Sequence, residues 1–242
     1  MKIALIGYGK MGRFIEQIAL QSGHTIVSTI DIHNPEDFYS ENFYLADVAI
    51  EFTTPASAYD NIQKCFAANI PVVSGTTGWT NRLNEIIKQC ETEGKTFFYA
   101  SNFSVGVNVL FAVNRYLAKL MNHFPVYHVD LTEIHHIHKI DAPSGTAITL
   151  AEGILNEIPQ KKGWRLSNET EHPERLIINA QREGEVSGIH EVRYDSPVDV
   201  ITIRHEAKSR AGFAVGAVLA AEFTVGKKGF LRMNDMLNLI EN

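Results

Sequence analysis

Cysteine is scarce in this sequence, and long apolar runs are missing. The 242 residues include two cysteines, Cys65 and Cys90, which are too far apart for a Cys-x-x-Cys motif. This usage argues against a disulfide scaffold and favours a reducing, cytoplasmic compartment. No apolar run approaches the roughly 20 residues that span a bilayer. The short N-terminal run at residues 3–6 ends at a glycine, so we interpret it as a first strand rather than a signal peptide.

Positive charge is also in short supply. The 22 basic residues are outnumbered by 28 acidic ones, which leaves a net charge of −6. A nucleic-acid-binding protein needs a basic face for the phosphates, so this balance argues against nucleic acid as the main partner. Hydrophobic residues make up 45% of the chain, which argues against intrinsic disorder. At about 150 residues per domain, the length predicts one large domain or two modest ones.

Strand-like and helix-like segments alternate along the first part of the chain. The alternation predicts right-handed βαβ crossovers and a parallel sheet buried on both faces. The predicted strands are residues 2–6, 25–30, 48–52, 71–74 and 96–99, and the predicted helices are residues 11–22, 56–68 and 80–93.

The pattern changes after residue 103. Two alternating runs in this part favour antiparallel strands with one covered face. The predicted helices are residues 105–122, 145–157, 212–224 and 233–240, and the predicted strands are residues 128–133, 176–179, 190–194 and 198–205. The segment 158–185 is polar and broken by proline and glycine, so we expect it to be rich in loops around its short strand.

A Gly-x-Gly-x-x-Gly motif ends the first predicted strand and opens the first predicted helix. Its residues are Gly7, Tyr8, Gly9, Lys10, Met11 and Gly12. The three glycines of such a motif allow a tight turn, close approach of a pyrophosphate, and close packing of helix on strand. The helix N-terminus then favours the negative phosphates. A glycine turn of purely structural purpose is the alternative interpretation.

Asp31 ends the second predicted strand, where a carboxylate accepts hydrogen bonds from the ribose hydroxyls of a dinucleotide. This carboxylate would repel a 2′-phosphate, and Ile32 supplies no positive charge to receive one. The pair therefore favours NADH. His33 and Lys10 could contact a 2′-phosphate, so NADPH stays open as the second choice.

Two further loops follow predicted parallel strands, and their positions predict contacts with the same cofactor. The first loop contains Gly75, Thr76 and Thr77, and the second contains Ala100, Ser101, Asn102 and Phe103. Either loop alone is also consistent with an ordinary connection. Together with the glycine motif they predict an α/β fold with an N-terminal Rossmann-like dinucleotide-binding domain, residues 1–103 with 213–242. A smaller α+β domain with a mixed or antiparallel sheet, residues 104–212, is expected to bind substrate and form oligomers.

Five of the ten histidines fall within residues 123–138, and three interpretations of the densest part compete. His135, His136 and His138 are suitable zinc ligands in type, but no His-Glu-x-x-His motif or cysteine pair accompanies them. The histidines could also be structural. The third interpretation is acid–base chemistry, because histidine titrates near neutrality and Lys139 adds a cation beside it.

A carboxylate site is predicted directly after this cluster. Ser144, Gly145 and Thr146 open the helix 145–157, and N–H groups at a helix start bind anions. His135 and Lys139 would lie about 13 Å apart in a fully extended chain, so they can meet one small molecule only if the chain curves after the strand. Asp141-Ala142-Pro143 favours such a turn. A small dicarboxylate would satisfy both halves of this site.

These motifs together resemble the 4-hydroxy-tetrahydrodipicolinate reductase family of bacterial and plant lysine (diaminopimelate) biosynthesis. The resemblance covers the whole chain and is carried most specifically by the last of four segments. They are GYGKMG at 7–12, SGTTGW at 74–79, SNFSVGVN at 101–108 and EIHHIHKIDAPSGTA at 133–147.

The resemblance implies an NAD(P)H-dependent reduction with loss of water, carried out by a homotetramer without a metal. It assigns His135 as proton donor and acceptor, Lys139 as second proton donor, and His136 as a substrate contact. Gly145 and Thr146 would hold one substrate carboxylate. The two glycine loops, Asp31 and residues 100–103 would line the cofactor, and Arg210 and Phe213 would touch it. Asp31-Ile32 departs from members that accept NADPH well, which often carry a basic residue nearby.

Three other functions remain to be separated from this one. Another two-domain NAD dehydrogenase would share the first domain but lack the segment 133–147. A regulatory protein that senses NAD would need neither His135 nor Lys139. A metal-dependent hydrolase would depend on zinc.

Overall fold

The computed structural model describes residues 1–170, 172–209 and 211–239, and the chain divides into two compact units. Unit 1 combines residues 1–105 with the segment that begins at Ala211, and unit 2 comprises residues 106–210. The α/β fold class predicted from the sequence is confirmed, with a parallel sheet in unit 1 and a mixed sheet in unit 2. No helix within the described ranges is both long and apolar enough to cross a bilayer.

The helices and strands follow one another with short connections. The strands are β1 (Lys2–Ile6), β2 (Thr25–Ile30), β3 (Val48–Glu51), β4 (Val72–Ser74), β5 (Thr96–Tyr99), β6 (His128–His135), β7 (Gly163–Leu166), β8 (Arg175–Arg182), β9 (Ile189–Asp195), β10 (Val200–Glu206) and β11 (Gly229–Leu231). The helices are α1 (Lys10–Gln21), α2 (Glu41–Tyr44), α3 (Pro55–Ala67), α4 (Leu83–Glu93), α5 (Val105–Met121), α6 (Gly145–Glu157), α7 (Ala211–Thr224) and α8 (Met233–Leu237).

The sheet of unit 1 has six parallel strands in the order β11-β5-β4-β3-β1-β2. Successive side chains of a strand point to opposite faces. Ile3 and Leu5 accordingly lie in one core cluster with residues of α1 and α7, whereas Ala4 and Ile6 lie in another with residues of α3 and α4. Burial on both faces explains why these strands are almost continuously apolar.

The sheet of unit 2 is mixed, with the order β10-β9-β6-β8-β7. Its central strand β6 runs parallel to β8 and antiparallel to β9. Val129, Leu131, Glu133 and His135 alternate along β6 and are all buried. Because the first two belong to the hydrophobic core that also includes residues of α5 and α6, the period of two places Glu133 and His135 on the same covered face.

The structure corrects several predicted boundaries. The predicted helix 80–93 begins with a 3-10 turn, Thr80–Arg82, before α4. The predicted helix 233–240 ends at Leu237, where Asn238 takes a left-handed conformation, and residue 240 lies outside the described residues. The segment 158–185 contains two strands, β7 and β8, rather than one. Strand β11 was missed because three residues, Gly-Phe-Leu, carry too little periodicity.

Helix α7 packs against the chain of unit 1 so closely that one of its positions requires glycine. A Cβ at Gly216 would lie 1.7 Å from the carbonyl oxygen of Phe103, whereas a Cβ at Gly212 would meet no atom of the described residues within 4 Å.

We expect Gly216→Ala to lower the free energy of unfolding by about 1–3 kcal/mol, since an overpacked core must shift. Gly212→Ala should leave it unchanged or raise it by up to about 1 kcal/mol. Urea unfolding of both variants tests this packing, and equal midpoints would contradict it.

Candidate active site

The glycine motif forms a tight turn between β1 and α1. Gly7 has a φ of +92°, and a Cβ there would lie 2.0 Å from the carbonyl oxygen of Phe52. A Cβ at Gly12 would lie 2.2 Å from the carbonyl oxygen of Gly7. Both positions therefore need glycine for the fold of the turn itself.

Gly9 differs from these two glycines because the protein does not crowd it. Nothing in the described part of the chain lies within 4 Å of a Cβ built at this residue. Gly9 is also the N-cap of α1, and no side chain caps the helix start there. A loop with this open approach and uncapped N–H groups fits the pyrophosphate of a dinucleotide.

Tyr8 and Lys10 belong to the same motif, and Asp31 follows the neighbouring strand β2. The Tyr8 hydroxyl donates to the carboxylate of Glu16, and Lys10 is exposed at the start of α1. Asp31 follows β2, where its Oδ1 accepts the His33 N–H at 2.7 Å. This turn holds the carboxylate beyond the carboxyl end of β2, and Ile32 beside it is 87% exposed.

The second glycine loop follows β4 and packs against Phe52. A Cβ at Gly75 would lie 2.2 Å from the outer atoms of the Phe52 ring, so a larger residue here would have to displace that ring. Thr76 is buried, and its hydroxyl accepts the Thr53 N–H at 2.8 Å. Thr77 is exposed. Thr76 thereby joins the loop after β4 to the residues after β3.

A buried carboxylate, Glu51, holds these two strand ends together. Its oxygens accept hydrogen bonds from Ser74 at 2.5 Å, from Thr76 at 2.9 Å and from Thr53. Burial raises the pKa of Glu51, and the hydroxyl donors oppose part of that rise. Sequence reasoning missed Glu51 because it lies in an apolar run and looks like part of an ordinary buried strand.

The loop after β5 lies at the same edge of the sheet. Ala100 and Phe103 are buried, and the Phe103 ring centroid is 5.5 Å from that of Phe52. Ser101 is exposed, and Asn102 accepts the Ser104 N–H at 2.9 Å. Phe213 is half-buried in α7, and Arg210 lies outside the described residues. The carboxyl ends of parallel strands meet at one edge, which is where dinucleotides bind in such sheets.

In unit 2, His135 ends β6 on its covered face and is 8% exposed. Its Nδ1 lies 3.7 Å from Oε2 of Glu133, and its ring centroid lies 5.1 Å from that of His190. Burial lowers the pKa of His135, and the Glu133 carboxylate opposes that fall. A histidine ring held beside a carboxylate is a candidate for proton exchange with a substrate.

Lys139 lies in the turn that follows β6. Its ammonium group contacts both carboxylate oxygens of Asp141, at 2.7 and 2.8 Å, and this contact lowers the pKa of Asp141. Arg182 of β8 fixes the backbone of the same turn through the carbonyl oxygens of Lys139 and Asp141, at 3.2 and 2.5 Å. Arg182 therefore holds in place the backbone of the turn that carries the Lys139 cation.

Ser144 is the N-cap of α6. Its hydroxyl accepts the Ala147 N–H at 3.2 Å, and its own backbone N–H donates to Oε2 of Glu133 at 3.0 Å. Gly145 is exposed, and a Cβ there would contact none of the described atoms within 4 Å. The first turn of α6 contains no acidic residue, so the helix start suits the carboxylate predicted for it.

The histidines of the zinc interpretation do not converge on one point. The ring centroids of His136 and His138 are 6.0 Å apart, and His138 lies 3.2 Å from the Glu185 carboxylate. Among the described residues, the group whose potential ligand atoms lie within 4.8 Å of one another is Glu133, His135 and His190. In that group, Glu133 already accepts the Ser144 N–H, and His190 lies 3.1 Å from the Ser144 hydroxyl.

Sequence reasoning also missed His190 and Arg182. Both come from strands that are distant in sequence from the segment 133–147, and no spacing in the sequence pointed to them. The alternating pattern of β6 could have identified Glu133 as a buried acid, because it shares its face with Val129 and Leu131.

Replacing Gly9 tests the dinucleotide loop. We expect Gly9→Ala to fold normally, since the added Cβ meets no described atom, but to weaken NADH binding tenfold or more, which corresponds to about 1.4 kcal/mol. Fluorescence titration with NADH measures the affinity, and thermal unfolding checks the fold. Gln17→Ala, at an exposed position of α1, is the control. Equal affinities of the two variants would contradict a pyrophosphate site at Gly9.

Known proteins match nearly the whole chain. The family models described as dihydrodipicolinate reductase, N-terminus and C-terminus, match residues 1–103 and 106–237. A 4-hydroxy-tetrahydrodipicolinate reductase of Christiangramia forsetii is 48% identical over 98% of this chain and 98% of its own length. One of Caldanaerobacter subterraneus is 33% identical over 95% and 94% of the two chains.

A solved structure shares the fold. Dipicolinate-bound dihydrodipicolinate reductase from a Paenisporosarcina species has a TM-score of 0.77 and 23% sequence identity, and the match covers 99% of both chains. The two family models and the relative with 48% identity together show that this chain belongs to the dihydrodipicolinate reductase family.

Proposed function

We propose that this chain is a 4-hydroxy-tetrahydrodipicolinate reductase, which uses NAD(P)H to form tetrahydrodipicolinate with loss of water in the diaminopimelate route to lysine. The observation that carries the proposal is the arrangement of residues 133–147. Within this one segment, the Glu133 carboxylate contacts a buried histidine and the start of an open helix. Arg182 connects the same carboxylate to the turn that carries Lys139.

The two ends of this segment suit the two carboxylates of the substrate. The N–H groups of Gly145 and Thr146 and the Ser144 hydroxyl would hold one carboxylate at the start of α6. Lys139 and His136 would contact the rest of the molecule. The Lys139 ammonium binds the Asp141 carboxylate in this structure. A substrate carboxylate would compete with Asp141 for this cation.

His135 and Lys139 supply the protons. Bound NADH or NADPH provides the hydride. A hydride added to an unsaturated ring leaves electron density that a neighbouring acid must neutralise. We assign that proton to His135, whose ring lies beside the Glu133 carboxylate. Lys139 serves as the second proton donor and stabilises negative charge on the substrate.

NADH is the preferred nucleotide in this proposal. The Asp31 carboxylate suits the two free ribose hydroxyls of NADH and repels the 2′-phosphate of NADPH. The side chain that follows it, Ile32, is apolar and almost fully exposed, so it offers no cation to the phosphate.

The proposal assigns dinucleotide binding to residues 1–103 with 213–242, and substrate binding and oligomerisation to residues 104–212. Both cysteines are unpaired and buried, which supports a cytoplasmic location.

A homotetramer would form through the face of the unit 2 sheet opposite α5 and α6. Ile134, Ile177 and Val200 lie on that face, and Val200 is 47% exposed. Light scattering should give about four times the 27.0 kDa of one chain, and a monomer would contradict this assignment.

Oxidation of NADH, followed by absorbance, tests the reaction. A condensing enzyme generates the substrate in place from pyruvate and aspartate semialdehyde, and the assay is repeated with NADPH. We expect rapid oxidation that depends on the condensing enzyme and is faster with NADH. Clear NADH binding without oxidation of either nucleotide would overturn the proposed function and favour a sensor or a different dehydrogenase.

The roles of His135 and Lys139 can be separated from nucleotide binding. We expect His135→Gln and Lys139→Ala each to lower kcat at least a hundredfold, as is typical for loss of a proton donor, with NADH affinity nearly unchanged. His138→Gln is the control, because this exposed histidine contacts Glu185 at the surface and has no assigned role. Normal turnover in both variants would contradict the assigned roles.

A further inference from the structure

Glu133 is fully buried in unit 2 and is contacted from four different elements. On its own strand, His135 Nδ1 lies 3.7 Å away. The Ser144 N–H at the start of α6 donates to it at 3.0 Å. Arg182 Nη1 on β8 lies 3.5 Å from Oε1, and His190 Nε2 on β9 lies 3.8 Å from Oε2. The Glu133 carboxylate can therefore orient the side chains and backbone that contact it from these four elements.

The two nitrogens of His135 face different surroundings. Nδ1 is buried, and within the described residues it has no hydrogen-bond partner; the nearest carboxylate oxygen is that of Glu133. Nε2 faces Gly188, where a Cβ would lie 3.2 Å from it. The glycine keeps a side chain away from Nε2. The ring is therefore oriented with Nδ1 towards Glu133 and Nε2 towards Gly188.

Arg182 extends the influence of Glu133 to the second proton donor. Arg182 and His135 are register partners on the parallel strands β8 and β6, so the guanidinium lies beside both Glu133 and the turn after β6. It contacts Glu133 Oε1 and donates to the carbonyl oxygens of Lys139 and Asp141. One carboxylate and one guanidinium thus connect the end of β6 to the turn that carries Lys139.

Several titratable groups surround His135, and their charges differ. Glu133 and Asp141 favour the protonated ring, whereas Lys139 and Arg182 oppose it. The pKa of His190 is lowered to about 3, chiefly by burial, so this ring is neutral near pH 7. His205 on β10, whose pKa burial also lowers, acts on His190 rather than directly on His135. Glu133 is therefore the carboxylate that faces Nδ1 directly.

We propose that Glu133 is a positioning residue of the proposed reductase. Its carboxylate orients His135 through Nδ1 so that Nε2 is presented to the substrate, and it stabilises the protonated ring. Arg182 contacts the same carboxylate and donates to the backbone of the turn that carries Lys139, so it keeps the carboxylate and the turn together. Hydrogen bonds that are long in a ligand-free site commonly shorten when substrate binds, and the 3.7 Å separation of Nδ1 and Oε2 leaves room for that.

Glu133→Gln tests the proposal with little change in shape, since the amide oxygen can still accept the Ser144 N–H. Loss of the negative charge removes an interaction that favours protonated His135, so the pKa of His135 falls. The alkaline limb of the kcat profile then moves to lower pH, and each unit of movement lowers kcat above the limb about tenfold. NADH affinity should be unchanged. Glu185→Gln, which removes an exposed carboxylate beside His138, is the matched control.

NMR titration of the His135 ring in the free protein distinguishes the failure of this inference from failure of the proposed function. A downward shift in Glu133→Gln supports the positioning role even if the wild-type chain reduces no substrate. An unchanged His135 titration and an unchanged kcat profile would overturn the role while leaving the reductase function intact.

Arg182→Gln tests the same pair from β8, including the case in which Glu133→Gln does not fold. Removing this cation should raise the pKa of His135 and move the alkaline limb to higher pH. The KM for substrate should rise as well, because the Lys139 turn loses two hydrogen bonds. A limb that stays in place in a folded Arg182→Gln protein would overturn the proposed pairing.

Discussion

The hydrogen bond from the Ser144 N–H to the buried Glu133 carboxylate is the interaction on which the candidate substrate site depends. This 3.0 Å hydrogen bond joins the end of β6 to the start of α6 and closes the segment between them. His135 and Lys139 lie within the closed segment, and Gly145 and Thr146 lie just after it. A buried acceptor of this kind is costly to lose, because the donor would remain unsatisfied. The same bond therefore serves the stability of unit 2 and the placement of its reactive groups.

Unit 1 uses a related device at the edge of its parallel sheet. The buried Glu51 carboxylate accepts hydrogen bonds from hydroxyl groups that follow β3 and from others at the end of β4. Thr76 connects the loop after β4 to Thr53. Burial raises the pKa of Glu51. Its hydrogen bonds hold together the segments that lead into the predicted cofactor loops. Gly7 and Gly12 then permit backbone contacts that any side chain would block, and Gly75 leaves room for the Phe52 ring.

The sequence predicted the segments whose structure depends on residues that are close together in the chain. The GxGxxG turn, the start of α6 at Gly145 and the buried strands of the parallel sheet all follow from residue types at short spacing. Strand β11 could not be predicted, because its three residues become a strand only by pairing with β5. His190 and Arg182 were missed for a similar reason, since the pairing of β9 and β8 with β6 brings them to Glu133. The end of α8 depends on a left-handed Asn238, which the apolar pattern did not reveal.

The central claim is that residues 135–146 form one binding site for a small dicarboxylate. NMR titration with pyridine-2,6-dicarboxylate, an unreactive planar dicarboxylate, tests it most directly. The account predicts chemical-shift changes in the ring of His135 and in the backbone N–H groups of Gly145 and Thr146, and Lys139→Ala should weaken the binding that causes them. Shifts confined to other parts of the chain, or binding unaffected by Lys139→Ala, would contradict the claim.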